Sequence, residues 1–382
     1  MPSGTVASMW TGTRYARCAL LITISSLIGC GDAENNEPQI ADVDVLSAQG
    51  PYGIGYFSLP VTYKTPIDNE DRTIQALVWY PTMEVDGERP IYGVVSSEIA
   101  VKDAVPASFE KRPTILFSHG HQAYPGVMSY LMEHWASHGY VVIAPGHTGN
   151  TVINGDARET DIYYLRALDL EAAFDYFLAD NTGPLAGLLG EEVVVTGHSF
   201  GAYTAFGFSG ASFALEALKE ECDMPGANND FCSTLTAEKE AIFEAGLKDE
   251  RVIAAMSFDP GNFDMYGHDG IAEIEIPVLH AVAGDGNHAD PDPSKDKFWQ
   301  ALSNPEDVRL LLIDGGHNDF VDSCGAGIDI RCSDLTPELV WRAMRTYTLA
   351  FLKKHVELDS SVGPILGGDV TVWDQMTSQN RP

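Results

Sequence analysis

The sequence predicts an α/β fold: a mostly parallel central sheet with helices on both faces. Three observations predict it. Short apolar runs without alternation, "PTILFSHG", "GYVVIAPGH" and "EEVVVTG", read as strands covered on both sides. Segments with apolar residues at helical spacing lie between them. The strand–helix–strand order then repeats along the chain, as parallel neighbours require. With 382 residues, 45% hydrophobic and 20% charged, the chain can bury one large core or two smaller ones.

Taken in order, the elements divide the chain into three parts. Arg14 and Arg17 precede the uncharged run Ala19 to Ile28, which is too short for a stable membrane-spanning helix. Residues 1–30 read as a signal peptide. Residues 31–44, "GDAENNEPQIADVD", read as a polar tether. Residues 45–382 form one domain, with no long linker or repeat. It opens with "GIGYFSLPVTY", a turn at "TPIDNEDR", and "TIQALVWYPT", where Ile74, Ala76, Val78 and Tyr80 alternate as in a half-buried strand. Val127, Tyr130, Leu131 and Trp135 share one helix face, and Thr160 to Phe177 forms a second helix. Further strands are "VIAAMSFD", "IPVLHAVAGD" and "VRLLLID". The last helix runs from Thr336, its N-cap, with Pro337 at the first position, to about Val356. Residues 211–250 break the rhythm as a polar, helical insertion, either a cap over a site or a surface excursion.

Composition excludes several functions. Acidic residues number 55 against 23 basic, a net charge of -32, so the basic footprint of a nucleic-acid binder is missing. Such a surface is repelled by anionic lipid and suits salty surroundings. Apart from Cys18 and Cys30, the cysteines are Cys222, Cys232, Cys324 and Cys332, which allow three connectivities. In an exported chain the local pairs Cys222–Cys232 and Cys324–Cys332 are the simplest. No CxxC pair suggests zinc, and "DGNHADPDPSKD" lacks the ordered spacing of a calcium loop. No metal or organic cofactor is expected. "GPYGIG" at 50–55 does not sit between a strand and a helix, as a nucleotide-binding loop would.

The chemistry centres on Gly197-His198-Ser199-Phe200-Gly201 at a strand-to-helix junction. A serine in that turn has a strained backbone and needs neighbours without bulk, which makes it a candidate nucleophile. It needs a base, and His317, just past "VRLLLID", is placed for the role. His268 and His288 sit in polar loops, His280 inside a strand, and His355 at a helix end. Asp259 and Asp285 each end a strand and could orient the imidazole; spacing leaves both open. Arg166 and Asp169, three apart on a helix, read as a local ion pair.

Two resemblances extend this reading. Leu27-Ile28-Gly29-Cys30 resembles the lipobox of bacterial lipoproteins, which implies lipidation of Cys30 and an exported, membrane-anchored protein in the periplasm or on the cell surface. "FSHGHQAYPGVMSYLMEHWASHGYVVIAPGHTGN", "GHSFGAYTAF" and "GGHNDFVD" resemble the platelet-activating-factor acetylhydrolase family of α/β-hydrolases, whose relatives include dienelactone-hydrolase-like and cutinase-like polyester hydrolases. The likeness covers roughly residues 50–355 and is weak in 211–250. It implies an ester hydrolase with a Ser199-His317-Asp259 triad. In most other α/β-hydrolases the acid would instead be Asp285. It also implies oxyanion donors at the amides of Phe200 and His121, in a loop shaped by His119, Gly120 and Gly126. Short-acyl esters such as acetylated phospholipids are the implied substrates, with polyesters second. The expected partner is thus a small-molecule or lipid ester, and membrane contact is expected only through the N-terminal lipid. A different class of reading is a non-catalytic cell-surface binding lipoprotein that keeps a hydrolase fold.

Overall fold

The computed structural model describes residues 40–382, apart from 94, 109–110, 112, 226–228, 285–293, 328–330 and 382. The signal segment, Cys30 and most of the polar stretch lie outside the described residues, as do Asp285 and His288.

The strands are β1 (Gly53–Lys64), β2 (Asp71–Thr82), β3 (Ile91–Tyr92), β4 (Val95–Ser96), β5 (Ala100–Lys102), β6 (Thr114–Ser118), β7 (Val142–Pro145), β8 (Val193–His198), β9 (Val252–Phe258), β10 (Val278–Ala283), β11 (Val308–Leu312) and β12 (Met376–Asn380). Among the described residues ten form one sheet, in the order β12-β11-β10-β9-β8-β6-β7-β2-β1-β5; β3 and β4 pair separately. From β7 to β11 the sheet neighbours are parallel. The β1–β2 hairpin and β12 add antiparallel strands at its two sides.

The helices are α1 (Val43–Ser47), α2 (Ser129–Ser137), α3 (Thr160–Ala179), α4 (Phe200–Phe208), α5 (Leu215–Asp223), α6 (Asp230–Thr234), α7 (Ala237–Ala245), α8 (Gly267–Ala272), α9 (Ser294–Ala301), α10 (Pro337–His355) and α11 (Gly363–Leu366). On one face of the sheet α2 and α10 bury Leu131, Trp135 and Phe351; on the other α3, α4 and α9 bury Phe174, Phe206 and Phe298. Both faces are therefore dry, and every residue of β6, β8 and β10 is buried.

Four details differ from the sequence reading. The far half of β2 is buried on both faces, because Trp79 packs against the rings of Tyr56 and Tyr92, 5.3 and 5.1 Å away. Residues 41–44 pack onto the fold: Ala41 N–H donates to Ser361, and Arg342 pairs with Asp44 at 2.6 Å. Strand β12 escaped notice because "MTSQN" is mostly exposed and carries no apolar period; pairing with β11 alone defines it. His268 lies on α8 and not in a loop. Thr336 occupies the N-cap of α10 with Pro337 in the first turn, although its side chain makes no capping bond.

Both local disulfides are present, Cys222–Cys232 with Cα atoms 5.3 Å apart and Cys324–Cys332 at 5.7 Å. The first joins α5 to α6 in the 211–250 insertion. That insertion packs its Phe231 and Phe243 against the start of α3, through Tyr163 and Tyr164. Among the described residues no helix is long and apolar enough to cross a membrane.

Candidate active site

Strand β8 ends at His198, and α4 begins at Phe200. Ser199, between them, has φ 57° and ψ -120°, a strained turn that presents its side chain at the carboxyl edge of the sheet. The flanking glycines are obligatory. A Cβ on Gly197 would lie 2.2 Å from the Gly201 carbonyl oxygen, and one on Gly201 would lie 1.8 Å from that of Ser118.

The neighbouring strand brings Asp259 alongside. His198 is in register with Phe258, and Ser199 N–H donates to the Phe258 carbonyl at 2.9 Å. The next residue, Asp259, is fully buried, with φ 48°. Its Oδ1 accepts from Ala283 N–H at 2.9 Å, and its Oδ2 accepts from His317 Nδ1. That bond fixes the tautomer that leaves Nε2 as the basic nitrogen.

His317 opens a short 3-10 turn, His317–Phe320, after β11. Its carbonyl accepts from His198 Nε2 at 2.9 Å, and the two rings lie 4.5 Å apart. His317 is thus held against the residue before Ser199. Ser199 Oγ and His317 are not hydrogen-bonded to each other; such links are commonly long before substrate binds.

Two carboxylates that the sequence reading passed over hold the His317 loop. Asp319 accepts from Gly316 N–H at 2.7 Å and Ser333 N–H at 2.9 Å. Asp322 accepts from Ser129 N–H at 2.7 Å and Ser129 Oγ–H at 2.5 Å, at the start of α2. Burial pushes the Asp322 carboxyl up to about 7. The Cys324–Cys332 bond closes the segment that follows. Asp319, Cys324 and Cys332 are grouped closely enough to hold a metal, but both sulfurs are committed to the disulfide.

On the other side lies the loop after β6. The Phe200 amide is the first of α4 and has no intrahelical acceptor, as at any helix start. The His121 ring, whose pKa burial lowers, accepts from Asn150 Nδ2 at 2.9 Å and donates through Nε2 to Asp156 at 2.5 Å. His119 is fully buried: Nδ1–H donates to the Gly120 carbonyl at 2.8 Å, and Nε2 accepts from His147 N–H at 3.1 Å. Burial holds His119 neutral, well below the usual imidazole range, so its role is structural hydrogen bonding.

The expected Arg166–Asp169 ion pair is not formed. Asp169 takes a two-pronged bond from Arg72, both arms 2.8 Å, with His147 Nδ1–H at 2.9 Å and Tyr63 O–H at 2.8 Å. Arg166 turns toward the β6 loop and α4. Helical spacing put the two on one face, but buried partners on other elements outcompete a local pair.

A cavity of about 400 Å³ is lined among others by Arg158, Tyr163, Leu218, Phe231, Asn262 and Met265, but not by Ser199 or His317. The insertion therefore supplies one wall. Tyr163 connects it to the elbow, its ring 5.1 Å from that of Phe200.

Comparison with solved structures decides the fold. A ferulic acid esterase from Streptomyces cinnamoneus superposes with a TM-score of 0.61 over 86% of this chain and 96% of its own, at 20% identity. The chain has the α/β-hydrolase fold. The family model described as chlorophyllase matches residues 94–221, which include the 118–121 loop and Ser199 but neither Asp259 nor His317. No curated protein matches the sequence.

Proposed function

We propose that this α/β-hydrolase is a serine-dependent carboxylic-ester hydrolase. The observation that carries the reading is the buried Asp259 bonded to His317 Nδ1 beside the strained Ser199 elbow. The chlorophyllase-model match and the esterase-like fold support ester hydrolysis in general terms. In the proposed reaction Ser199 Oγ attacks the ester carbonyl and gives its proton to His317 Nε2. Asp259 steadies the imidazolium, and the amides of Phe200 and His121 receive the oxyanion. Collapse expels the alcohol, which takes the proton from His317. Water then attacks the acyl-enzyme, with His317 removing its proton and returning it to Ser199.

The finer reading is a short-acyl ester, acetylated phospholipids first and polyesters second. The acetylhydrolase resemblance supports it. Export and anchoring through Cys30 belong to the same proposal; disulfides, rare in reducing compartments, support the export. The test is covalent labelling by a fluorophosphonate, followed by an ester panel of graded acyl length. Labelling confined to Ser199 and highest kcat/KM on acetates are expected. An unlabelled wild-type chain would favour the binding-lipoprotein reading, and preference for long acyl chains or polymer films would displace the acetylated-lipid reading.

A further inference from the structure

Behind the two amides assigned to the oxyanion lies a charged group that the proposed reaction does not use. The Arg166 side chain comes from α3 and is fully buried. Its Nη2 donates to the His119 carbonyl and to Ser118 Oγ, the latter at 3.1 Å. Its Nε donates to Thr204 Oγ1 on α4 at 3.1 Å. Its Nη1 donates to Asn150 Oδ1 at 2.9 Å, and Asn150 in turn donates to the His121 ring. The guanidinium lies 4.6 Å from the centre of the Phe200 ring. Every one of these contacts leads to one of two segments: the loop that carries the His121 amide, or the helix start that carries the Phe200 amide.

The charge balance points the same way. The carboxylate on the same helix, Asp169, is occupied by both arms of Arg72. Burial keeps His119 and His147 neutral, and Asp156 is half exposed and paired with Arg158. Among the described residues this buried cluster therefore holds two arginines against one carboxylate. An uncompensated buried charge is costly in the resting protein. It becomes favourable when an alkoxide develops beside it in a site shielded from water.

We propose that Arg166 is a positioning residue of the oxyanion hole: it ties the 118–121 loop to the start of α4, so that both amides face one point, and its charge favours the tetrahedral oxyanion over the neutral carbonyl. The proposal rests on the ester-hydrolase reading. In that reading a trifluoromethyl ketone adds to Ser199 and mimics the oxyanion, whereas KM on a soluble acetate ester reports ground-state binding.

The experiment compares wild type, Arg166→Lys and Arg166→Met in kcat, KM, ketone Ki and Tm. Arg166→Met should lower kcat and raise Ki together by about 10²- to 10³-fold, the scale of a lost oxyanion donor, with KM changed by less than about threefold. Arg166→Lys, which keeps the charge but not the planar fork, should recover part of both. If Arg166→Met fails to fold, Thr204→Val removes one strut and should shift kcat and Ki in parallel by about tenfold. A lower Tm with kcat and Ki unchanged would make Arg166 purely structural and overturn the proposal. If wild type itself reacts with neither ketone nor fluorophosphonate, it is the ester-hydrolase reading that fails.

Discussion

Ser199 owes its place to what its neighbours lack. With no room for a Cβ on Gly197 or Gly201, β8 can turn sharply into α4 and lift one hydroxyl off the sheet. Ser199→Ala keeps that backbone and should fold normally, while kcat falls by about 10⁶-fold and fluorophosphonate labelling disappears. Gly201→Ala forces a methyl into the Ser118 carbonyl and should yield little folded protein on a thermal melt. Asp259→Asn leaves the geometry but spoils the tautomer of His317, so kcat should drop by about 10⁴-fold, whereas Asp285→Asn should stay near wild type. The opposite ranking, assayed on one soluble ester, would return the role to Asp285. Spacing in the sequence left these two acids equivalent, since each was expected to end a strand, and only the family resemblance favoured Asp259. What distinguishes them is a contact between residues 58 apart, Asp259 and His317.

At the scale of elements, the His317 loop depends on its clamps. The Cys324–Cys332 bond closes a short loop, and replacing both cysteines by serine should cost about 2–3 kcal/mol in denaturant unfolding. It should also lower kcat more than it raises KM, since the freed segment adjoins the turn that holds His317, the proposed base. Asp322 makes the second clamp, from this loop to the start of α2. Its carboxyl, at about 7 in the fold, would titrate near the ordinary carboxylate value once unfolded. The folded chain therefore keeps a proton that the unfolded chain releases. Asp322 thus contributes fully below its unfolded pKa, and that contribution is lost as pH rises through about 7. Asp322→Asn should flatten the stability–pH slope between pH 5 and 7 by about one proton's worth, read from unfolding free energies. An unchanged slope would mean that the group is ionised throughout. The disulfide was legible in the sequence; the Asp322 clamp was not, because Asp322 is merely an acid near a histidine and its partner Ser129 lies 193 residues away.

For the whole molecule, a net charge of -32 sets the terms. Self-repulsion of the compact state should weaken as salt shortens the screening length, from about 30 Å at 0.01 M to below about 10 Å beyond 0.1 M. Tm should therefore rise by several degrees across that range; a flat or falling Tm would show that local ion pairs outweigh the net charge. The proposed anchor is tested on the full chain expressed in bacteria: wild type should partition with membranes and carry lipid on Cys30, and Cys30→Ala should lose both.

By itself the sequence determined the α/β class, most strands of the sheet, the elbow around Ser199, the position of His317 and the local disulfide pairs. All of these depend on short-range patterns: apolar runs, helical spacing, glycines two residues from a serine, cysteines close in the chain. Tertiary structure decided that Asp259 meets His317, which residue spacing had left open, that Asp169 belongs to Arg72, that β12 is a strand, and that Arg166 reaches under the 118–121 loop. Those contacts join residues distant in sequence, and competition among buried partners selects them. No local pattern records that competition.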